Sequence, residues 1–165
     1  MKKIFNYIAV IMLVTVFVSC NEEGYEDVTI KKSSVVEMSG DWYVQTFLDG
    51  NMVVDYEVIT TSNTAADNGT EIQMFDHEHI WAFNSAVPVN LSALTFSGTD
   101  LASKVDDYEI TVTITNGSIV KDGTVSSDTN EVADLISFDI EFSDDPGSVY
   151  HIEGYKRTGF LEDEH

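Results

Sequence analysis

Cysteine is almost missing from this chain, and the one present, Cys20, rules out an intrachain disulfide. Basic residues are nearly as scarce: 8 lysines and arginines stand against 29 acids, for a net charge of −21. A field of that sign repels nucleic acid and anionic membrane surfaces, so no nucleic-acid partner is expected. There are only four histidines, His77, His79, His151 and His165. No Gly-x-Ser-x-Gly elbow, no helical zinc-protease pattern and no glycine-rich phosphate loop occurs. No residues form a catalytic set by motif, and no cofactor is implied.

What is present begins with an address. Met1-Lys2-Lys3 precedes an apolar run from about Ile4 to Val18, then Ser19-Cys20. A basic start, an apolar stretch and a small residue before a break read as a secretory signal over residues 1–19. The alternative is a single N-terminal anchor helix, although the run is short for a span. Val16-Phe17-Val18-Ser19-Cys20 resembles a lipobox, which implies cleavage before Cys20 and acylation of its thiol. Two or more acyl chains make a stable membrane anchor. Asn21-Glu22-Glu23-Gly24-Tyr25-Glu26-Asp27 resembles the surface-export signal of Bacteroidetes lipoproteins, and implies the outer face of the outer membrane. The periplasmic face is the alternative. Residues 20–37 are then a lipidated acidic tether and residues 38–165 the folded domain.

After residue 19 the chain keeps 6 basic and 29 acidic residues, because Lys2 and Lys3 are the only charges before it. It is long enough for one domain with a core. From Gly40 onward the apolar period is two. Met52, Val54, Tyr56 and Val58 alternate with Asp55 and Glu57. Tyr108, Ile110, Val112 and Ile114 alternate with Glu109, Thr111 and Thr113, and Ile136, Phe138, Ile140 and Phe142 with Ser137, Asp139 and Glu141. Such alternation marks half-buried antiparallel strands. Asp49-Gly50 predicts a hairpin turn and Asp145-Pro146-Gly147-Ser148 a type II turn. Asn116-Gly117 and Asp122-Gly123 bracket a short excursion. One short helix is expected near Asp100–Val105, capped by Thr99 or Asp100. The expectation is an all-β antiparallel barrel or sandwich of about eight strands.

Gly40-Asp41-Trp42-Tyr43 resembles the first barrel strand of lipocalins, and Gly154-Tyr155-Lys156-Arg157-Thr158-Gly159-Phe160 supplies a late arginine. The resemblance implies that Arg157 lies across Trp42 and closes the barrel floor, a cation–π contact of about 1 kcal/mol. Taken with the Cys-plus-acidic tether and an Asn-Gly hairpin after a Thr-rich strand, the chain resembles Bacteroidetes lipoproteins described as lipid-binding putative hydrolases, with a lipocalin-like barrel. That implies a small apolar ligand, while the hydrolase half of the description finds no motif here. Tyr56, Phe75, Trp81, Phe83, Phe138, Phe142 and Tyr150 are the candidate cavity residues. A filled core, with loops that bind protein or glycan, is the alternative.

Two readings of Phe75-Asp76-His77-Glu78-His79-Ile80-Trp81 stay open. In a strand, His77 and His79 share a face and could hold a zinc-type ion with His151 or a carboxylate. In a hairpin connection they are solvated. Acidic loops at Asp122, Ser126–Glu131 and Asp144-Asp145 could offer Ca²⁺ ligands, although none has EF-hand spacing.

Overall fold

A computed structural model describes residues 32–165. The signal segment, Cys20 and the acidic tether up to residue 31 lie outside the described residues. Eight antiparallel strands form a closed barrel, β1 (Gly40–Leu48), β2 (Asn51–Asn63), β3 (Glu71–Asp76), β4 (Asn84–Asn90), β5 (Thr95–Ala102), β6 (Thr111–Val125), β7 (Val132–Phe142) and β8 (Tyr150–Lys156). Each strand pairs with the next, and β8 returns to pair with β1, so no sheet edge is left open.

Turn chemistry sets the connections. Asp49 and Gly50 both take positive φ, as a two-residue hairpin loop requires. Gly147 has φ 90°, and the Ser148 N–H donates to the Asp145 carbonyl, giving the expected type II geometry. Two other expectations differ. Asn116-Gly117 is a bulge inside the 15-residue β6 rather than a hairpin, and Asp122 marks a second irregularity in that strand. A left-handed residue serves a bulge as readily as a turn. Asp100–Val105 is not helical: Leu101 and Ala102 pair with Val112 and Thr111, and the Ser103 and Lys104 N–H groups donate to Ile110 and Asn84. Those long-range bonds outweigh a weak local helix preference. Among the described residues the helical elements are two 3₁₀ turns, Val36–Met38 and Leu161–Asp163.

The barrel has two unlike ends. The base receives the chain at residue 32, carries the β2–β3, β4–β5 and β6–β7 connections, and releases the C-terminal segment. The mouth carries the other four connections. Inside, Trp42, Val44, Ile59, Ile72, Met74, Phe83, Val112, Ile136, Phe138 and Ile152 belong to one buried cluster.

Candidate functional site

The base is sealed from within. Val35, which caps the first 3₁₀ turn, and Met38, its last residue, are fully buried under the strands. The Trp42 Nε1–H donates to Thr61 Oγ1 at 2.8 Å, and the Thr61 hydroxyl donates to the Met38 carbonyl at 2.6 Å. One hydroxyl therefore satisfies both the indole and the plug. The residue over Trp42 is Lys156, with Nζ 5.6 Å from the ring centroid. Arg157, expected there, instead lies 5.8 Å from the Tyr43 ring on the outer wall. The cause is parity. Trp42 pairs with Lys156 across the β1–β8 ladder, and the next residue points the other way.

The mouth is closed by a loop and a group of rings. Asp76, 5% exposed at the end of β3, accepts the Ile80 N–H at 2.8 Å and the Trp81 N–H at 2.7 Å through Oδ2. Burial pushes the Asp76 carboxyl up, and N–H groups of Trp81, Ile80 and His79 offset that only in part. The clamp folds residues 77–83 over the opening and lays Trp81 flat on Phe142, ring centroids 4.6 Å apart and 11° from parallel. Tyr150 leans on both rings at 5.7 and 5.9 Å. The Trp81 Nε1–H donates to the Tyr108 hydroxyl at 3.0 Å, which in turn donates to Asp144. The Tyr150 hydroxyl donates to Asp145 at 2.7 Å. His79 pairs with Glu57, whose position opposite Val44 turns it inward.

Four of the seven candidate cavity residues therefore meet at the mouth, and a fifth lies in the same core. Trp81, Phe83, Phe142 and Tyr150 line the mouth, and Phe138 packs deeper, 5.6 Å from Phe96. Tyr56 and Phe75 do not join them. A register shift between Val44 and Thr46 exchanges the faces of β2, so Glu57, Ile59 and Thr61 face in and Tyr56 faces out. Phe75 alternates with buried Met74 and Asp76, and its ring rests on His77 outside, 4.6 Å away. His77 is exposed and contacts Thr60 Oγ1 at 2.9 Å through Nε2. Among the described residues, no group of three or more His, Cys, Asp or Glu side chains is arranged to hold a metal ion.

A second cluster on the outer wall was not visible in the sequence. Tyr43, Tyr56 and Tyr155 gather there with Ala133 and Val58, and the C-terminal residues cover them. His165 stacks on Tyr56 at 4.4 Å, Glu164 takes the Tyr43 hydroxyl and the Arg157 guanidinium, and Asp163 is buried. Asp163 accepts the Thr129 N–H at 2.9 Å and the Thr129 and Thr158 hydroxyls at 2.7 Å each. Burial alone would raise its pKa, but these donors hold the carboxyl far below the usual range. Glu164 is lowered mainly by the Arg157 hydrogen bond, then by that of Tyr43.

Both depressed carboxyls stabilise the clasp above the ordinary carboxylate pKa. As pH falls below about 4 the unfolded chain binds protons first, so that stabilisation is lost on the acid side. Amide exchange of residues 158–165 should accelerate between about pH 4 and pH 2, before β7 and β8 exchange. Simultaneous opening of tail and strands would contradict this.

The same cluster holds the one Ser–His contact among the described residues, Ser127 Oγ to His165 Nε2 at 2.9 Å. The distance suits a general base. However, the Ser127 hydroxyl donates to Asp128 at 2.9 Å and also meets the Tyr155 hydroxyl at 3.1 Å. Among the described residues no carboxylate bonds the other ring nitrogen of His165. With the serine proton committed to Asp128, the imidazole acts as donor, and the contact serves the clasp. Ser127→Ala should leave any hydrolysis of a short-chain p-nitrophenyl ester by this protein unchanged. Its abolition by that substitution would overturn this reading.

Well-formed surface grooves lie on the outer wall, one of about 420 Å³ beside Phe47, Gly50, Val149 and His151. Another, of about 300 Å³, sits at the base rim between Val132, Phe160, Lys156 and Arg157. Neither opens into the barrel interior. Comparison with known families matches residues 27–161 to a family described as lipid-binding putative hydrolase. No curated protein matches the chain.

Proposed function

The chain belongs to the lipid-binding putative hydrolase family, and from that premise we propose that its barrel binds one small lipid-like molecule through the mouth, under the Trp81 loop. The observation that carries this reading is the contrast between the two ends. The base is fixed by strands, a buried plug and a tryptophan–threonine bond. The mouth is closed by one loop, held by two N–H bonds to Asp76, the His79–Glu57 pair and the Trp81–Tyr108 bond, and by rings packed on Phe142. When that loop lifts, Trp81 leaves an apolar wall of Phe83, Phe142 and Tyr150, the kind of surface an acyl chain or sterol-like body covers.

The protein is lipid-anchored through Cys20 and held at the outer membrane, with its domain outside the cell. This part rests on the signal segment, the lipobox-like residues and the acidic tether.

The packed interior favours a second reading, a filled scaffold whose loops bind a protein or glycan. The neutral apolar probe N-phenyl-1-naphthylamine separates the two. Saturable probe fluorescence, weakened about tenfold by Trp81→Ala, supports the mouth as the site. No binding by the intact, folded chain would contradict ligand uptake and leave the scaffold reading.

A further inference from the structure

Among the described residues, three inward polar atoms of the mouth half have no partner: Thr46 Oγ1, Asp76 Oδ1 and Ser85 Oγ. Their residues are 0%, 5% and 0% exposed, so solvent does not serve them. Register places all three on the inner face. Thr46 stands opposite Ile152, Asp76 opposite Ile59, and Ser85 opposite Met74. All three also belong to the mouth half of their strands. In the base half the inward Thr61 is fully bonded, while Asn63 Oδ1, opposite Ile72, and Thr64 Oγ1 are buried without a partner. Unmet hydrogen-bonding capacity therefore occurs at both ends, and in the mouth half it lies on the inner face of three strands. Buried polar groups are normally paired, and three unpaired groups on the inner face below the Trp81 loop point to something polar that belongs there.

The charges select what that is. Asp76 Oδ1 is an acceptor that needs a donor, since Oδ2 already takes two N–H groups. At the same end of the barrel are the carboxylates of Glu57, Asp144 and Asp145, and the Tyr108 and Tyr150 hydroxyls are turned to the last two. The basic groups at this end are engaged or outside. His79 holds Glu57, Lys104 reaches Gln73 on the outer wall, and His151 pairs with Asp139. A second carboxylate or a phosphate would meet only like charge.

We propose that the ligand is an amphiphile whose polar end donates hydrogen bonds and carries no negative charge, a hydroxyl or ammonium head seated among Thr46, Asp76 and Ser85. This rests on the lipid-binding reading above and adds the head-group class to it. The apolar body lies along the mouth aromatics, and the head reaches Asp76 beneath the Trp81 loop. Free fatty acids and anionic phospholipids are rejected by Asp76.

The test displaces N-phenyl-1-naphthylamine from the full chain with 1-decanol, decylamine and decanoate at neutral pH, which share a tail and differ in head. Decanol and decylamine should compete at concentrations at least about tenfold below decanoate. Asp76→Asn should cut the advantage of decylamine over decanoate by about tenfold. Ser85→Ala, which leaves the charge and the loop clamp in place, should weaken decanol about threefold without admitting decanoate. Equal displacement by all three heads would overturn the proposal and assign the unpaired atoms to internal water. So would unchanged head-group selectivity in both folded variants. Failure of the probe to bind at all would instead strike the lipid-binding reading itself.

Discussion

Trp42→Ala should destabilise the barrel by about 3–5 kcal/mol, the usual cost of removing a fully buried large aromatic. The melting temperature should fall by roughly 10–20 °C. Trp42 is 0% exposed, packs in the main cluster, and gives its indole N–H to Thr61. Its removal leaves a cavity beside the Val35 and Met38 plug and takes away the apolar face under the Lys156 chain. The hydrogen bond can be separated from the volume. Thr61→Val keeps the shape but strands two buried groups, the indole N–H and the Met38 carbonyl, and should cost about 2–4 kcal/mol. Thermal and urea unfolding of the three proteins checks both figures. A loss under about 1 kcal/mol for Trp42→Ala would mean that the base is not sealed in this way.

Gly154→Ala should have an effect at least as large by a different route. Gly154 lies opposite Val44 in the β1–β8 ladder, the pairing that closes the barrel. A Cβ there would overlap the Tyr43 carbonyl oxygen and sit 2.6 Å from the Val44 Cα. Both are backbone atoms of the neighbouring strand, so no side chain can swing away. The strands must part along the seam, at a cost of about 3 kcal/mol or more. Amide protection in β1 and β8 should fall ahead of the rest of the sheet. Gly147→Ala is the control. It has a left-handed φ of 90° and nothing within 4 Å, so it should cost only about 1–2 kcal/mol of backbone strain. Equal tolerance of the two substitutions would mean that β1 and β8 are not joined.

Where the strands are regular, the sequence discloses their inward faces. β7 alternates without interruption against β8, and Ile136, Phe138, Ile140 and Phe142 all face in, as the period of two requires. Where a bulge intervenes, the same reasoning inverts. The irregularity opposite Val44 and Thr46 puts Glu57 inside and Tyr56 outside, although Tyr56 is the residue a hydrophobic pattern selects. The Arg157 expectation failed by a single position, because motif spacing fixes which strand arrives but not which of two adjacent basic residues points inward. The outer tyrosine cluster escaped notice because aromatics beneath a covering tail look like core residues. Its signal was the run of C-terminal acids, whose partners Thr129, Thr158 and Arg157 are set by tertiary contact. The loop over the mouth was legible as a polar connection. Its clamp depends on Asp76 being buried, which the barrel supplies and composition does not show.

The most direct test of the account is native mass spectrometry on the full chain, extracted gently from its own host. The account predicts a bound small molecule that denaturation releases, apolar in body and with a hydroxyl or amine head, and that the Trp81→Ala protein carries in lower occupancy. A clean unliganded mass in repeated preparations, together with no uptake of the neutral probe, would contradict it and leave a filled barrel whose work lies in its loops.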